Sequence, residues 1–360
     1  MKKLVIYIPS IEAGGVEKNL FYISDYLSKK NIDVYIVTAN TNKKKLFSDK
    51  VNFICPNNTN WNNSSRTIKS LICLSLIVTK LPLKKISILS LQSNVLAVLL
   101  SKFFGLKIII RLNTSTNKYI SNFIKKFFFK VIYSMSDVII VNSIEFKKNL
   151  QKILQLNSIQ IFNPIKKIKI KTKKNINHFN NFNGVKILSI GRLTDQKNQI
   201  TILKSLNVLK KKEINFRFFL IGAGYKLKIL KKYVKDNQLV SHIKFGGYKK
   251  NAHDYIRSSD LFVLSSKYEG LPNVLIEAQL NNVPIISSNC STGPKEILLN
   301  GKLGHLFKVG NHVSLSKIII NFCENNKDFL GKAKLAKKYL YRFDYEQNLH
   351  KYYNVIKKIL

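Results

Sequence analysis

The residues best suited to chemistry lie in one segment, Ser265-Ser266-Lys267-Tyr268-Glu269-Gly270-Leu271-Pro272-Asn273-Val274-Leu275-Ile276-Glu277-Ala278. An apolar run ends in a Gly/Pro turn and passes into a helix. Glu269 falls in the loop before that helix, and Glu277 falls about two turns along it. Backbone amides around Asn273 and Val274 point the positive end of the helix dipole at any bound anion, so two carboxylates here flank a site for phosphate. The bland alternative, solvated helix glutamates, fits Glu277 less well because Ile276, Ala278 and Leu280 around it are apolar.

A second group is cationic. Gly191-Arg192-Leu193-Thr194-Asp195-Gln196-Lys197-Asn198 follows directly on an apolar run, and a cation pair at the carboxyl end of a strand suits a diphosphate. Arg192 is one of only six arginines, whereas Lys197 is one of 55 lysines, most of which must be solvated surface. Further glycines stand at strand ends. Gly14-Gly15 precedes a helix expected from about Val16, where backbone can approach an anion or simply make a tight turn. Gly222-Ala223-Gly224 invites a dinucleotide-binding reading, but the third glycine of G-x-G-x-x-G would fall at Leu227, and no acidic residue follows at the required distance. A nicotinamide dehydrogenase is therefore disfavoured.

These residues need elements to hold them. Short β-branched runs at 4–8, 34–38, 86–89, 107–111 and 138–142, with helical stretches between most of them, form the pattern of a parallel α/β sheet. A polar Lys/Asn-rich stretch from Pro164 to Asn183 interrupts it as a linker would. The pattern restarts at 185–190, 216–221, 242–245, 261–264 and 284–287. The expected architecture is two Rossmann-like domains with parallel sheets facing an interdomain cleft, the default ligand site. The expected boundaries are 1–165, a linker at 166–183, 184–340, and a C-terminal helix at 341–360 able to return to the N-terminal domain.

Composition sets limits. The 360 residues are 45% hydrophobic and 22% charged, which argues for globular domains, and the net charge is +42. The excess is nearly all lysine in an Asn- and Ile-rich chain, and base readout leans on arginine, so nucleic acid is not an expected partner. An anionic membrane surface is. Cys55, Cys73, Cys290 and Cys323 show no metal-like spacing, consistent with a reduced, cytosolic chain. Lys2-Lys3 before Leu4–Ile8 imitates a signal peptide, but Pro9 and Glu12 cut the run short, and no integral membrane segment is expected. Over 118–132, Ile120, Phe123, Ile124, Phe127, Phe128 and Val131 form an apolar arc beside Lys118, Lys125, Lys126 and Lys130. That helix either faces the core or lies on an anionic bilayer.

GGVEK at 14–18, GRLTDQKN at 191–198, LIGAGYKLKIL at 220–230, YEGLPNVLIEA at 268–278 and VPIISSNCSTGPKEIL at 283–298 together resemble glycosyltransferase family 4. Its members are retaining nucleotide-sugar transferases of GT-B fold. The resemblance implies that the N-terminal domain binds acceptor and the C-terminal domain binds donor. Arg192 and Lys197 would hold the donor diphosphate and stabilise the leaving group. Glu277 would accept from the ribose hydroxyls, and Glu269 would contact the transferred sugar. Gly222, Gly270, Leu271, Asn273 and Val274 would complete the donor site, Gly247-Tyr248 would hold the base, and Gly14-Gly15 would face phosphates and incoming acceptor. Many members carry a histidine just after the strand corresponding to 107–111. Here all six histidines lie beyond residue 177, and Asn113 occupies that region as a neutral replacement.

The implied protein is a metal-independent hexosyltransferase, since no Asp-x-Asp occurs, with no cofactor beyond a nucleotide-sugar co-substrate. UDP is the donor nucleotide the family most often uses. The acceptor would be a lipid-linked oligosaccharide for bacterial surface polysaccharide (O-antigen, lipopolysaccharide or capsule), met at the inner face of the plasma membrane. The rivals are a soluble transferase using a small sugar acceptor and a non-catalytic polyanion- or membrane-binding protein.

Overall fold

The computed structural model describes residues 3–12, 14–114, 120, 122–166, 179, 182–249 and 253–360. Most of the expected linker at 166–183, and Lys118, lie outside the described residues. The chain forms two units, Met1–Pro164 with Asp344–Leu360, and Ile165–Phe343.

The first unit is a seven-stranded parallel sheet of β1 (Lys3–Tyr7), β2 (Asp33–Val37), β3 (Asn52–Ile54), β4 (Ile86–Ser90), β5 (Lys107–Leu112), β6 (Val138–Val141) and β7 (Ile159–Gln160), in the order 3-2-1-4-5-6-7. Its strands are apolar on both faces because helices cover both sides. Leu4 and Ile6 of β1, with Ile8 just after it, pack with Leu20, Ile23 and Leu27 of the Gly15–Lys29 helix, while Val5 and Tyr7 pack against Cys73 and Ile77 on the opposite face. The last helix, Tyr345–Lys357, adds Leu349, Tyr352 and Ile356 to the first of these layers.

The second unit repeats the plan with β8 (Val185–Ile190), β9 (Phe216–Ile221), β10 (Ile243–Gly247), β11 (Leu261–Leu264), β12 (Ile285–Ser288) and β13 (His305–Phe307), in the order 10-9-8-11-12-13. In each sheet the winding reverses beside the first strand, between β1 and β4 and between β8 and β11. Doubly wound sheets bind ligands outside the carboxyl ends of strands at this switch point.

Three strands were not expected: β3, β7 and β13, each of two or three residues and each at a sheet edge. The expected 118–132 helix runs instead from Phe123 to Ser134, because Asn122 caps it by accepting from the Lys125 N–H at 3.0 Å. Apart from Ile120, which packs on the core, its apolar arc does not face inward. Phe123, Ile124 and Phe127 are 80%, 76% and 62% exposed, Phe128 and Val131 are also exposed, and Phe129, Ile132 and Tyr133 make the packing contacts.

Candidate active site

In the second unit the loops after β8 and β11 meet. Lys197 Nζ donates to Glu269 Oε1 at 2.6 Å, with side chains only 14% and 7% exposed. Ser266 Oγ donates to the same carboxylate oxygen at 2.5 Å. Lys197 is therefore not one of the solvated lysines, and its stem lies against Gly191, where a Cβ would press on the lysine's Cδ and Cε at 3.4 Å. The pair is held from below. Ser265 Oγ donates to the carbonyls of Lys197 and Asn198 at 2.9 and 3.0 Å, Gln196 Nε2 donates to Tyr268 O at 3.0 Å, and the Lys267 N–H donates to Gln196 O at 2.8 Å. From the far side, Thr292 Oγ1 donates to Glu269 O at 2.6 Å. Charges buried this deeply persist only when paired and hydrogen-bonded, and these bonds meet that condition.

The glycines explain how the loops come so close. A Cβ on Gly222 would collide with Gly191 O, and one on Gly224 with Leu193 O, so the Gly222-Ala223-Gly224 turn lies directly on the Arg192 loop. Backbone bonds lock it there: the Leu193 N–H donates to Ala223 O at 2.9 Å, and the Gly222 N–H to Gly247 O at 2.8 Å. Gly293, at φ +74°, performs the same service against Gly270 O. Here the required property is absence of a side chain between two backbones.

Glu277 lies in the Asn273–Leu280 helix and is 3% exposed, so the alternative of a solvated helix glutamate fails. Leu271 and Asn273 are buried, Gly270 is buried beneath Gly293, Val274 is half-buried, and Arg192 and Tyr248 are exposed at the loop edge. Cys290 is buried near Glu269, and burial first, then the Glu269 charge, pushes its thiol up to about 12. It stays protonated at neutral pH and offers no thiolate nucleophile beside the pair.

The first unit gathers its polar residues at the carboxyl ends of β4 and β5. Arg111, 0% exposed, donates from Nε to Tyr352 Oη at 2.7 Å, from one terminal nitrogen to Asn163 Oδ1 at 2.7 Å, and from the other to Asn113 Oδ1. Asn113 Nδ2 donates to Leu91 O at 2.7 Å. Both ends of the Asn113 side chain are thus engaged in holding this network. At the start of the Gly15–Lys29 helix, the Glu17 carboxylate folds back and accepts from the Glu12 N–H at 3.3 Å, so an anion approaching Gly14-Gly15 meets a resident negative group. The φ of Gly14 is −166°, which any residue adopts. Among the described residues no three His, Cys, Asp or Glu side chains cluster as metal ligands, and no helix is long and apolar enough to cross a membrane.

Ser266, Thr292 and Arg111 were not singled out from sequence. The first two lie within segments that were, but a hydroxyl's partner has no signature in residue type.

Two doubly wound parallel α/β domains, with polar loops gathered at their switch points, are the GT-B architecture of glycosyltransferases. Residues 170–343, just under half of the chain, match the family "Glycosyl transferases group 1". The chain is 32% identical to an uncharacterized glycosyltransferase of Methanocaldococcus jannaschii over 47% of its own length but only 44% of the relative's. Two other relatives match over most of both chains. An amylovoran biosynthesis glycosyltransferase of Erwinia amylovora is 29% identical over 83% of this chain and 84% of its own. The N-acetylgalactosamine-N,N'-diacetylbacillosaminyl-diphospho-undecaprenol 4-alpha-N-acetylgalactosaminyltransferase of Campylobacter jejuni is 25% identical over 94% and 95%. Among solved structures, Anabaena HepE in complex with UDP and glucose superposes with a TM-score of 0.83 at 16% identity, covering 99% of this chain and 100% of that one, a likeness of fold.

Proposed function

We propose that this glycosyltransferase is retaining and metal-independent, and that it moves a hexose or N-acetylhexosamine from a UDP-sugar to a lipid-linked oligosaccharide in bacterial surface-polysaccharide synthesis at the cytoplasmic membrane face. The observation that carries the proposal is the buried Lys197–Glu269 pair, with Ser266 fixing the carboxylate, at the switch point of the second sheet. In the reaction the bond from the sugar's anomeric carbon to the diphosphate oxygen breaks, an acceptor hydroxyl oxygen bonds to that carbon, and the hydroxyl proton is released. Negative charge grows on the diphosphate while positive charge grows on the sugar. Lys197 and the exposed Arg192 stabilise the first, and the Glu269 carboxylate stabilises the second. Because the two charged groups already neutralise each other, they need little rearrangement when donor enters. Glu277 accepts from the ribose hydroxyls, and Tyr248 beside Gly247 offers a face to the base. Relatives support the donor and acceptor: one structural neighbour holds UDP, and the Campylobacter relative is named for a diphospho-undecaprenol acceptor.

Calorimetry with UDP and a panel of nucleotide sugars tests the donor, followed by transfer assays with and without EDTA. Tightest binding to a UDP-sugar, weakened in Glu277→Ala, and turnover that survives EDTA are expected. Binding to no nucleotide sugar overturns the proposal. Activity lost in EDTA and restored by manganese overturns metal independence.

A further inference from the structure

The first unit contains a pocket of about 370 Å³ that the donor chemistry does not use. Its walls are Val95 and Leu96 from the Asn94–Phe103 helix, Ile120, and Phe129 and Tyr133 from the Phe123–Ser134 helix. Its polar edge is Ser93 and Asn94, at the carboxyl end of β4. There Asn94 Nδ2 donates to Arg111 O at 3.1 Å, which ties this edge to the network around Asn113. A pocket of this size, apolar on one side with a few polar groups at one end, suits a ligand that is itself apolar with a polar terminus.

Two further observations say what that ligand is. The pocket wall continues onto the exposed stripe of the same helix, since Phe129 in the wall meets Phe128 outside it edge-on, ring centroids 5.6 Å apart. Phe123, Ile124 and Phe127 prolong the stripe, and Leu99, Phe103 and Phe104 expose a second apolar patch on the neighbouring helix. The charge on the Phe123–Ser134 helix has one sign: it carries Lys125, Lys126 and Lys130 and no Asp or Glu, while Asp137, just beyond its end, is paired with Lys102 and Lys107. Exposed phenylalanines set beside lysines on one helix match an apolar phase with an anionic boundary.

We infer that this pocket seats the hydrocarbon chain of a membrane-derived polyprenyl phosphate, the chain entering along the Phe123–Ser134 helix and its phosphate end resting at the carboxyl ends of β4 and β5. The inference deepens the lipid-linked acceptor proposed above and rests on it. It adds that the chain itself is recognised by protein, so acceptors with short alkyl anchors are poor substrates even when their glycan is correct.

The probe is farnesyl phosphate carrying a terminal diazirine, photolysed with the full-length protein in detergent-free buffer without nucleotide sugar. Mass spectrometry is expected to find the label on the peptides bearing Val95-Leu96 and Phe129–Tyr133, competed by unlabelled farnesyl phosphate and reduced at least tenfold in Leu96→Trp, which fills the pocket. Should Leu96→Trp fail to fold by circular dichroism, Val95→Phe serves as the filling change. Label spread over Phe103, Phe123 and Phe127 and unaffected by filling overturns the inference, as does competition by an apolar peptide but not by farnesyl phosphate. UDP binding, read separately by calorimetry, distinguishes a failure of the pocket from a failure of the donor assignment.

Discussion

Replacing Lys197 by alanine removes one member of a buried pair and strands the other. Glu269, with a side chain 7% exposed, would keep the Ser266 hydroxyl as its hydrogen-bond donor among the described side chains. Breaking a buried pair in this way costs about 3–5 kcal/mol. For a unit of this length, Ile165–Phe343, each kcal/mol lowers the melting temperature by about 2–4 °C, so the expected fall is roughly 6–20 °C. Loss of activity alone would not separate an unfolded unit from a lost phosphate contact. The joint change Lys197→Met with Glu269→Leu does separate them, because apolar side chains of similar volume can replace a buried pair at little or no loss of stability. It should restore most of the melting temperature while turnover stays down a hundredfold or more, the usual effect of removing a charge that stabilises the transition state. Differential scanning fluorimetry and transfer assays on the two variants provide the measurements. A Lys197→Ala protein that melts like the parent would refute the buried-pair argument, and a double variant with near-normal turnover would refute the catalytic one.

Gly293→Ala places a methyl group against Gly270 O and 2.8 Å from Pro272 Cδ at φ +74°, so it should unfold the loop bearing Glu269, whereas Gly310→Ala at φ +78° has open space and should cost only about 1–2 kcal/mol by denaturant titration. Asp137 is partly buried, which opposes its charge, but the Ile108 N–H at 2.8 Å and the Lys107 and Lys102 ammonium groups outweigh this and hold its carboxyl below the ordinary range. A depressed folded value stabilises above the unfolded one, so Asp137→Asn should cost about 1–2 kcal/mol at pH 7, with the difference shrinking as pH falls below about 4 in pH-resolved melts. Phe127→Ser with Phe128→Ser should leave the melting temperature within a few degrees, since both rings are exposed, and should weaken flotation with anionic vesicles, as should added salt. Unchanged flotation would remove this helix from the membrane contact.

Residue type and period carried the frame of both sheets. The runs that became β8, β9 and β11 have their observed limits in the sequence because they are mostly apolar stretches bounded by Gly, Asn, Asp or Ser. Strands β3, β7 and β13 were invisible for a physical reason: two or three residues hold no alternation, and only a neighbouring strand makes them extended. The start of the Phe123–Ser134 helix was missed because its apolar period continues back to Ile120, while the boundary comes from one side-chain oxygen of Asn122. At the candidate site, Arg192, Glu269 and Glu277 stood out by spacing, but the burial of Lys197 did not, since a lysine in a loop reads as surface until another loop closes over it. Gly222 read as a place for ligand; that its lack of a side chain also lets two loops pack was not legible. Arg111 on β5 and Asn113 just past its end are two residues apart, a spacing that was legible but carries no hint that their side chains bond to each other.

The Arg111–Tyr352 hydrogen bond also has a temporal side. The two residues are 241 positions apart in the chain, and at about 5–20 residues per second the ribosome delivers the tyrosine about 12–48 s after the arginine. Until then a guanidinium destined for full burial waits for one of its three acceptors, and the layer that Leu349, Tyr352 and Ile356 complete stays open to water. The second unit is continuous in sequence and suffers no such delay, so it can finish folding while the first, begun earlier, is still incomplete. Nascent chains ending at Phe343 should therefore show a protease-resistant second unit beside a first unit that is cleaved readily, and adding residues 344–360 should close it.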